Sequence, residues 1–112
     1  MSKYRLGEFE EVVLLTVAIL YGEAYGISIL NEIEDRLKRE VSIGSLRTVL
    51  SRLEKKGYLN SKFGESTAVR GGKRKRYYWV TKYGQLALQQ TKEQRQQLWD
   101  AIPSVAFDFK FS

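Results

Sequence analysis

Apolar residues fill almost every position from Phe9 to Leu20. They are Phe9, Val12, Val13, Leu14, Leu15, Val17, Ala18, Ile19 and Leu20, with Thr16 the one polar residue after Glu11. A segment apolar nearly all round fits a helix buried on more than one side, and its length favours a helix over a strand. Gly22 is placed to end it. After the link Glu23-Ala24 the pattern changes: Ile27, Leu30, Ile33 and Leu37 recur in steps of three or four with charges on the other side, which predicts a second helix over about 25–39. A third follows at once. Ser42 can cap it by accepting a hydrogen bond from the amide of Ser45, Leu46, Val49, Leu50 and Leu53 keep the helical spacing, and Gly57 is placed to terminate it. So few residues separate the second and third helices that the two must turn sharply against each other, as in a helix-turn-helix unit.

Beyond Gly57 the period shortens. Residues 58–63 and 73–80 read as two strands joined by a glycine-containing polar connection over 64–72, a hairpin in which Tyr78 and Val80 point to the core and Tyr77 and Trp79 to the other face. Thr81 is a cap for a last helix over about 82–102, which Pro103 limits. Its middle, QQTKEQRQQ, is polar throughout, and Leu86, Leu88, Leu98, Trp99 and Ile102 are too sparse for an isolated coiled coil. The tail over 104–112, with Phe107, Phe109 and Phe111 alternating, fits either an extra strand or a disordered end.

Composition narrows the chemistry. With 112 residues there is room for one domain with a core. The absence of cysteine and histidine removes disulfides, thiolate metal sites, cysteine nucleophiles and triads with an imidazole base, so no metal or cofactor is expected. An enzyme would have only scattered carboxylates on helix faces to work with. The apolar run from Val12 to Tyr21 is about half of what a membrane-spanning helix needs. The start MSKYRLGEFEE reaches acidic residues before any apolar stretch, the wrong order for a secretory signal. Both point to the cytoplasm, with no membrane partner.

The net charge of +6 is unevenly placed. Residues 1–40 carry 5 Lys and Arg against 8 Asp and Glu, residues 41–80 carry 10 against 2, and residues 81–112 carry 4 against 3. A basic excess confined to one segment is the footprint of a polyanion. It concentrates in VRGGKRKRYYWV, residues 69–80, where Arg70, Lys73, Arg74, Lys75 and Arg76 precede three aromatics that anchor the strand. Gly71 and Gly72 let such a tip bend close to another surface. On the third helix, the face opposite the leucines carries Gly44, Thr48, Ser51 and Lys55, flanked by Ser45, Arg47 and Arg52. Small hydroxyl and guanidinium side chains on an exposed helix suit base edges and phosphates in a groove. An ordinary solvated face and a solubilising loop are the plain alternatives for these two features.

In this order, YGEAYGISIL (21–30), VSIGSLRTVLSRLEKKGYL (41–59) and GGKRKRYYWVTKYGQLAL (71–88) resemble the PadR family of bacterial winged-helix transcription regulators. The family pattern reads roughly V-S-x-G-[ST]-L-Y-x-x-L-x-x-L-E-x-x-G, then G-[RK]-x-[RK]-x-Y-Y-x-[LV]-T-x-x-G, and the likeness spans most of residues 8–88. Two positions depart from it. Arg47 stands where the family usually has tyrosine, and Tyr25-Gly26-Ile27 where it often has His-Gly-Tyr.

The resemblance implies an α+β, mainly α fold: a winged helix-turn-helix DNA-binding domain of three helices and a two-stranded wing over 7–81, a C-terminal dimerisation helix over 82–103, and a tail of unassigned structure over 104–112. It implies duplex DNA with an inverted repeat as partner, a homodimer, and repression of transcription, with a small-molecule effector possible. The recognition helix would use Ser42, Ser45, Arg47, Thr48, Ser51, Arg52 and Lys55, and the wing Arg70, Lys73, Arg74, Lys75 and Arg76. Phe9, Val12, Leu88, Leu98, Trp99 and Ile102 would form the dimer interface, with Trp99 also a candidate to line an effector cavity. A module that meets RNA or an acidic protein without reading an operator is the competing expectation. It makes the recognition face dispensable, because RNA duplexes hide their major groove.

Overall fold

The computed structural model describes residues 5–64 and 74–110. Its elements run α1 (Glu8–Ile19), α2 (Gly26–Leu37), α3 (Ile43–Lys55), β1 (Leu59–Phe63), β2 (Arg76–Val80), α4 (Lys82–Ala101) and a 3-10 turn over Ser104–Phe107. The first strand begins one residue later than the pattern suggests and the second three later, because cross-strand pairing, unlike alternation, needs a partner.

Local chemistry accounts for the boundaries. At the start of α1 the Glu10 carboxylate accepts the Gly7 amide at 2.8 Å, and Gly22, at φ +85°, carries the chain out of the turn that follows. The end of α2 is different from the expected extension to residue 39. Lys38 takes the left-handed conformation (φ 52°) and stops the helix after Leu37. Ser42 caps α3 as the spacing requires, accepting from the Ser45 amide at 3.1 Å. Thr81 does the same for α4 with the Gly84 amide at 3.1 Å, while its own hydroxyl donates to the Gly57 carbonyl and its amide to Tyr58. The exit of α3, the entry of β1 and the start of α4 are thereby tied at one point.

The strands pair antiparallel in a register running from Leu59 with Val80 to Phe63 with Arg76. The linker between α1 and α2 also joins them: the Tyr78 amide donates to the Ala24 carbonyl at 2.8 Å, and Tyr25 bridges to Tyr77. The hairpin thus has a short third edge that the sequence pattern leaves hidden, since Glu23-Ala24 carries no alternation of its own.

Val13, Leu14 and Val17 of α1 meet Ile29 and Ile33 of α2, Leu46, Leu50 and Leu53 of α3, and Leu59, with Tyr78 and Val80 packed from the strand side as alternation predicts. In one chain α1 is buried on one side only. Leu15, Ala18 and Ile19 are exposed, and Leu15 and Ile19 border an apolar groove shared with Val12, Ile33 and Leu37.

The first turns of α4 sit on the core through Gly84 and Ala87, but residues 92–101 are exposed all round. The chain measures 66 × 30 × 21 Å, and its radius of gyration of 17.7 Å exceeds the roughly 13 Å of a compact domain of this length. After Pro103 a 3-10 turn spans Ser104–Phe107 and the described part of the tail holds no strand, with the Phe107 and Phe109 rings 6.3 Å apart; Phe111 lies outside the described residues.

Candidate nucleic-acid interface

Because α3 commits Leu46, Val49, Leu50 and Leu53 to the core, helical geometry sets the intervening residues outward. Ser42, Ser45, Arg47, Thr48, Ser51, Arg52 and Lys55 are all exposed, and the last five of them line one shallow hollow on the helix surface. Gly44 opens the first turn, where an added Cβ would meet nothing within 4 Å. The Thr48 hydroxyl donates to the Gly44 carbonyl at 3.0 Å, so its oxygen keeps its capacity to accept. Ser42 donates to the Ser45 hydroxyl at 2.8 Å.

The wing stands beside this helix. Arg47, Arg74, Lys75 and Arg76 line a single cleft whose floor includes Ile43, Leu50 and Tyr78. The two basic features of the sequence, far apart along the chain, therefore converge on one concave surface. Burial raises the Tyr78 hydroxyl above its ordinary value; the nearby Arg76 charge opposes this, Glu54 adds to it, and Arg47 opposes it.

The wing cations are individually placed. Arg74 lies over the Phe63 ring at 5.1 Å, and Lys75 over the Tyr25 ring at 4.1 Å. Tyr25 in turn meets Tyr77 edge to face at 5.7 Å. These contacts leave the charges exposed while fixing where they stand. Arg76 differs from its neighbours. It begins β2 instead of sitting free at the tip, and its Nε donates to the Ser61 hydroxyl at 2.8 Å, with Glu54 at 3.5 Å. Arg70 and Lys73 lie outside the described residues, as do Gly71 and Gly72.

Sequence reasoning missed Glu54 and Ser61 as neighbours of the cleft, and Tyr25 as its wall. The glutamate was visible in the L-E-x-x-G motif, but nothing local announces a partner 22 residues away.

The residues expected at an interface between copies divide in two. Phe9, Val12 and Leu88 are half-buried against their own core, with Arg39 over the Phe9 ring at 5.1 Å. Leu98 is 71% and Trp99 65% exposed at the far end of α4, and Ile102 is half-buried just beyond the helix. One ion pair, Arg95 with Glu11 at 3.4 Å, ties the outer half of α4 to α1.

The family model described as the transcriptional regulator PadR-like family matches residues 14–90. Among solved structures, a PadR-like transcription factor from Bacteroides fragilis superposes with a TM-score of 0.69 at 26% identity, over 82% of this chain and 84% of that one. A transcriptional regulator from Clostridium thermocellum gives a TM-score of 0.65 at 27% identity, over 80% and 87%. A PadR family transcriptional regulator from Eggerthella lenta gives 0.68 over 90% and 88%, and at 23% identity this is a likeness of fold alone. No curated protein matches the sequence significantly.

Proposed function

The chain belongs to the PadR-like family of transcriptional regulators, which are not enzymes, and from that premise we propose that it binds duplex DNA as a homodimer and represses transcription from an inverted-repeat operator. The observation that carries this reading is the shared cleft: Arg47 on α3 and Arg74, Lys75 and Arg76 on the wing face one another, with the exposed ridge of Ser45, Thr48 and Ser51 alongside.

In this arrangement α3 enters the major groove, where Arg47 suits a guanine edge or a phosphate and Thr48 offers its methyl to thymine or its oxygen to a donor. The wing cations follow the phosphate backbone, which supplies affinity without sequence preference. The domain over 7–81 does the binding. The helix over 82–103 holds the second copy, with Leu98, Trp99 and Ile102 covered by it, so that two recognition helices meet successive grooves about 34 Å apart. The apolar face of α1 left open in one chain, at Leu15, Ala18 and Ile19, supports the same need for a second copy. Trp99 offers a flat wall to an aromatic effector held between the copies. Such an effector changes DNA affinity if it prefers one angle between the two heads.

No helix among the described residues is long and apolar enough to cross a membrane. The working place of the protein in this reading is the cytoplasm, with the DNA. Selection of bound duplexes from a random pool tests the proposal: an enriched inverted repeat is expected. Enrichment of no sequence, or equal binding of an RNA duplex in competition, overturns it in favour of a module without operator recognition.

A further inference from the structure

Residues 41–80 contain ten cations and two acids, Glu54 and Glu65, and Glu54 stands beside the basic cleft. It follows Arg47 by two helical turns, on the side of α3 that faces the wing. The Ser61 hydroxyl donates to Glu54 Oε2 at 2.8 Å and accepts from Arg76 Nε at 2.8 Å, and a second guanidinium nitrogen of Arg76 stands 3.5 Å from the same carboxylate oxygen. The Phe63 ring supports the guanidinium from one side at 5.1 Å. A carboxylate, a hydroxyl and a guanidinium thus form one bonded chain across α3, β1 and β2.

We propose that Glu54 is a built-in counter-charge that occupies Arg76 where a DNA phosphate would, and so limits the affinity of the cleft for any duplex. The inference rests on the DNA-binding reading above.

Two physical points support it. The pair is partly exposed, at 44% for Arg76 and 31% for Glu54, and it is not in close contact. Exposed pairs of this kind add little to stability, so a structural lock is a poor account of a carboxylate placed there. Its electrostatic consequence is larger. A cation whose charge is already offset by its own protein neutralises a phosphate less well and so displaces less of the counterion condensed on the DNA, and a phosphate approaching Arg76 meets the Glu54 charge behind it. Among the described residues, Arg74 and Lys75 rest on aromatic rings and pair with no acid, whereas Arg76 has Glu54 beside it. Because this action reads no base, it lowers affinity for operator and random DNA alike.

The test is a salt titration of full-length protein on a labelled random-sequence duplex and on the selected duplex, followed by fluorescence anisotropy, with thermal unfolding of each variant. Glu54→Gln keeps the shape and the acceptor for Ser61. It is expected to steepen the slope of log affinity against log salt by about 0.9, which tightens binding about eightfold at 0.1 M salt, equally on both duplexes. Arg76→Ala is expected to remove the whole gain of Glu54→Gln when the two are combined. Ser61→Ala, which keeps both charges and removes the bridge, is expected to shift binding in the same direction by a smaller factor. Unchanged or weaker binding by a folded Glu54→Gln variant overturns the inference alone, as does a gain that survives in full when Glu54→Gln is combined with Arg76→Ala. Should Glu54→Gln not fold, weaker binding by Ser61→Ala overturns it. A native protein that binds no duplex at any salt overturns the functional reading and this inference together.

Discussion

Replacing Gly84 by alanine sets two effects of opposite sign against each other. Gly84 is the third residue of α4, and in a helix interior alanine is favoured over glycine by about 1 kcal/mol. A Cβ at this position would, however, press into the Tyr58 carbonyl oxygen and stand 2.9 Å from Val80 Cγ1. The carbonyl cannot swing aside at low cost. It accepts the Thr81 amide at 3.0 Å, and the Tyr58 amide is bonded to Leu53 at 2.9 Å. Overpacking of this kind costs about 1–3 kcal/mol, and loss of the Thr81 bond adds about 1 kcal/mol. Subtracting the helix-propensity gain leaves a net destabilisation of about 2 kcal/mol, or a fall in Tm of roughly 8 °C for a domain of this size. Circular-dichroism melting measures it directly. The same lift would re-aim α4, so the variant is also expected to dimerise more weakly in sedimentation at equal concentration. A melting temperature equal to or above the native value would refute the reasoning, because it would mean that the carbonyl yields freely and only helix propensity remains.

Glu10 is 6% exposed; burial raises its carboxyl, but hydrogen bonds from the Gly7 amide and the Lys56 ammonium, with the Lys56 and Arg52 charges, outweigh this and hold it below the ordinary 4.5. Its contribution to stability is therefore present above about pH 4.5 and lost as pH falls through the lower folded value, so Glu10→Gln should flatten the acid limb of the Tm-against-pH curve, and an unaltered limb would contradict the assignment. Arg74→Ala with Lys75→Ala should weaken binding to every duplex and flatten the salt slope, whereas Arg47→Ala with Thr48→Ala should erode the preference for operator over random DNA; the reverse pattern in anisotropy titrations would exchange the roles of wing and helix. Leu98→Asp with Trp99→Asp should yield monomers with an unchanged melting profile of the head, and a dimer surviving in sedimentation would place the contact elsewhere.

Much of this architecture could be read along the chain because it depends on neighbours. Helical period, the caps Ser42 and Thr81, and the stop at Gly57 concern residues three or four apart, and sequence displays such relations directly. The basic segment and the polar face of α3 were legible for the same reason. What sequence could not display is which distant groups meet. Arg76 is as much a lysine-arginine tip residue as Arg74 in the string, yet a carboxylate 22 positions earlier compensates it. Tyr25 becomes part of the wing only because the linker before α2 runs against β2. Glycine at position 84 fits a family motif, but the reason no side chain fits there is the backbone of Tyr58. Periodicity records which face of an element is buried, whereas the partner that buries or neutralises a given side chain is set by the packing of whole elements against one another, and that packing only the folded chain contains.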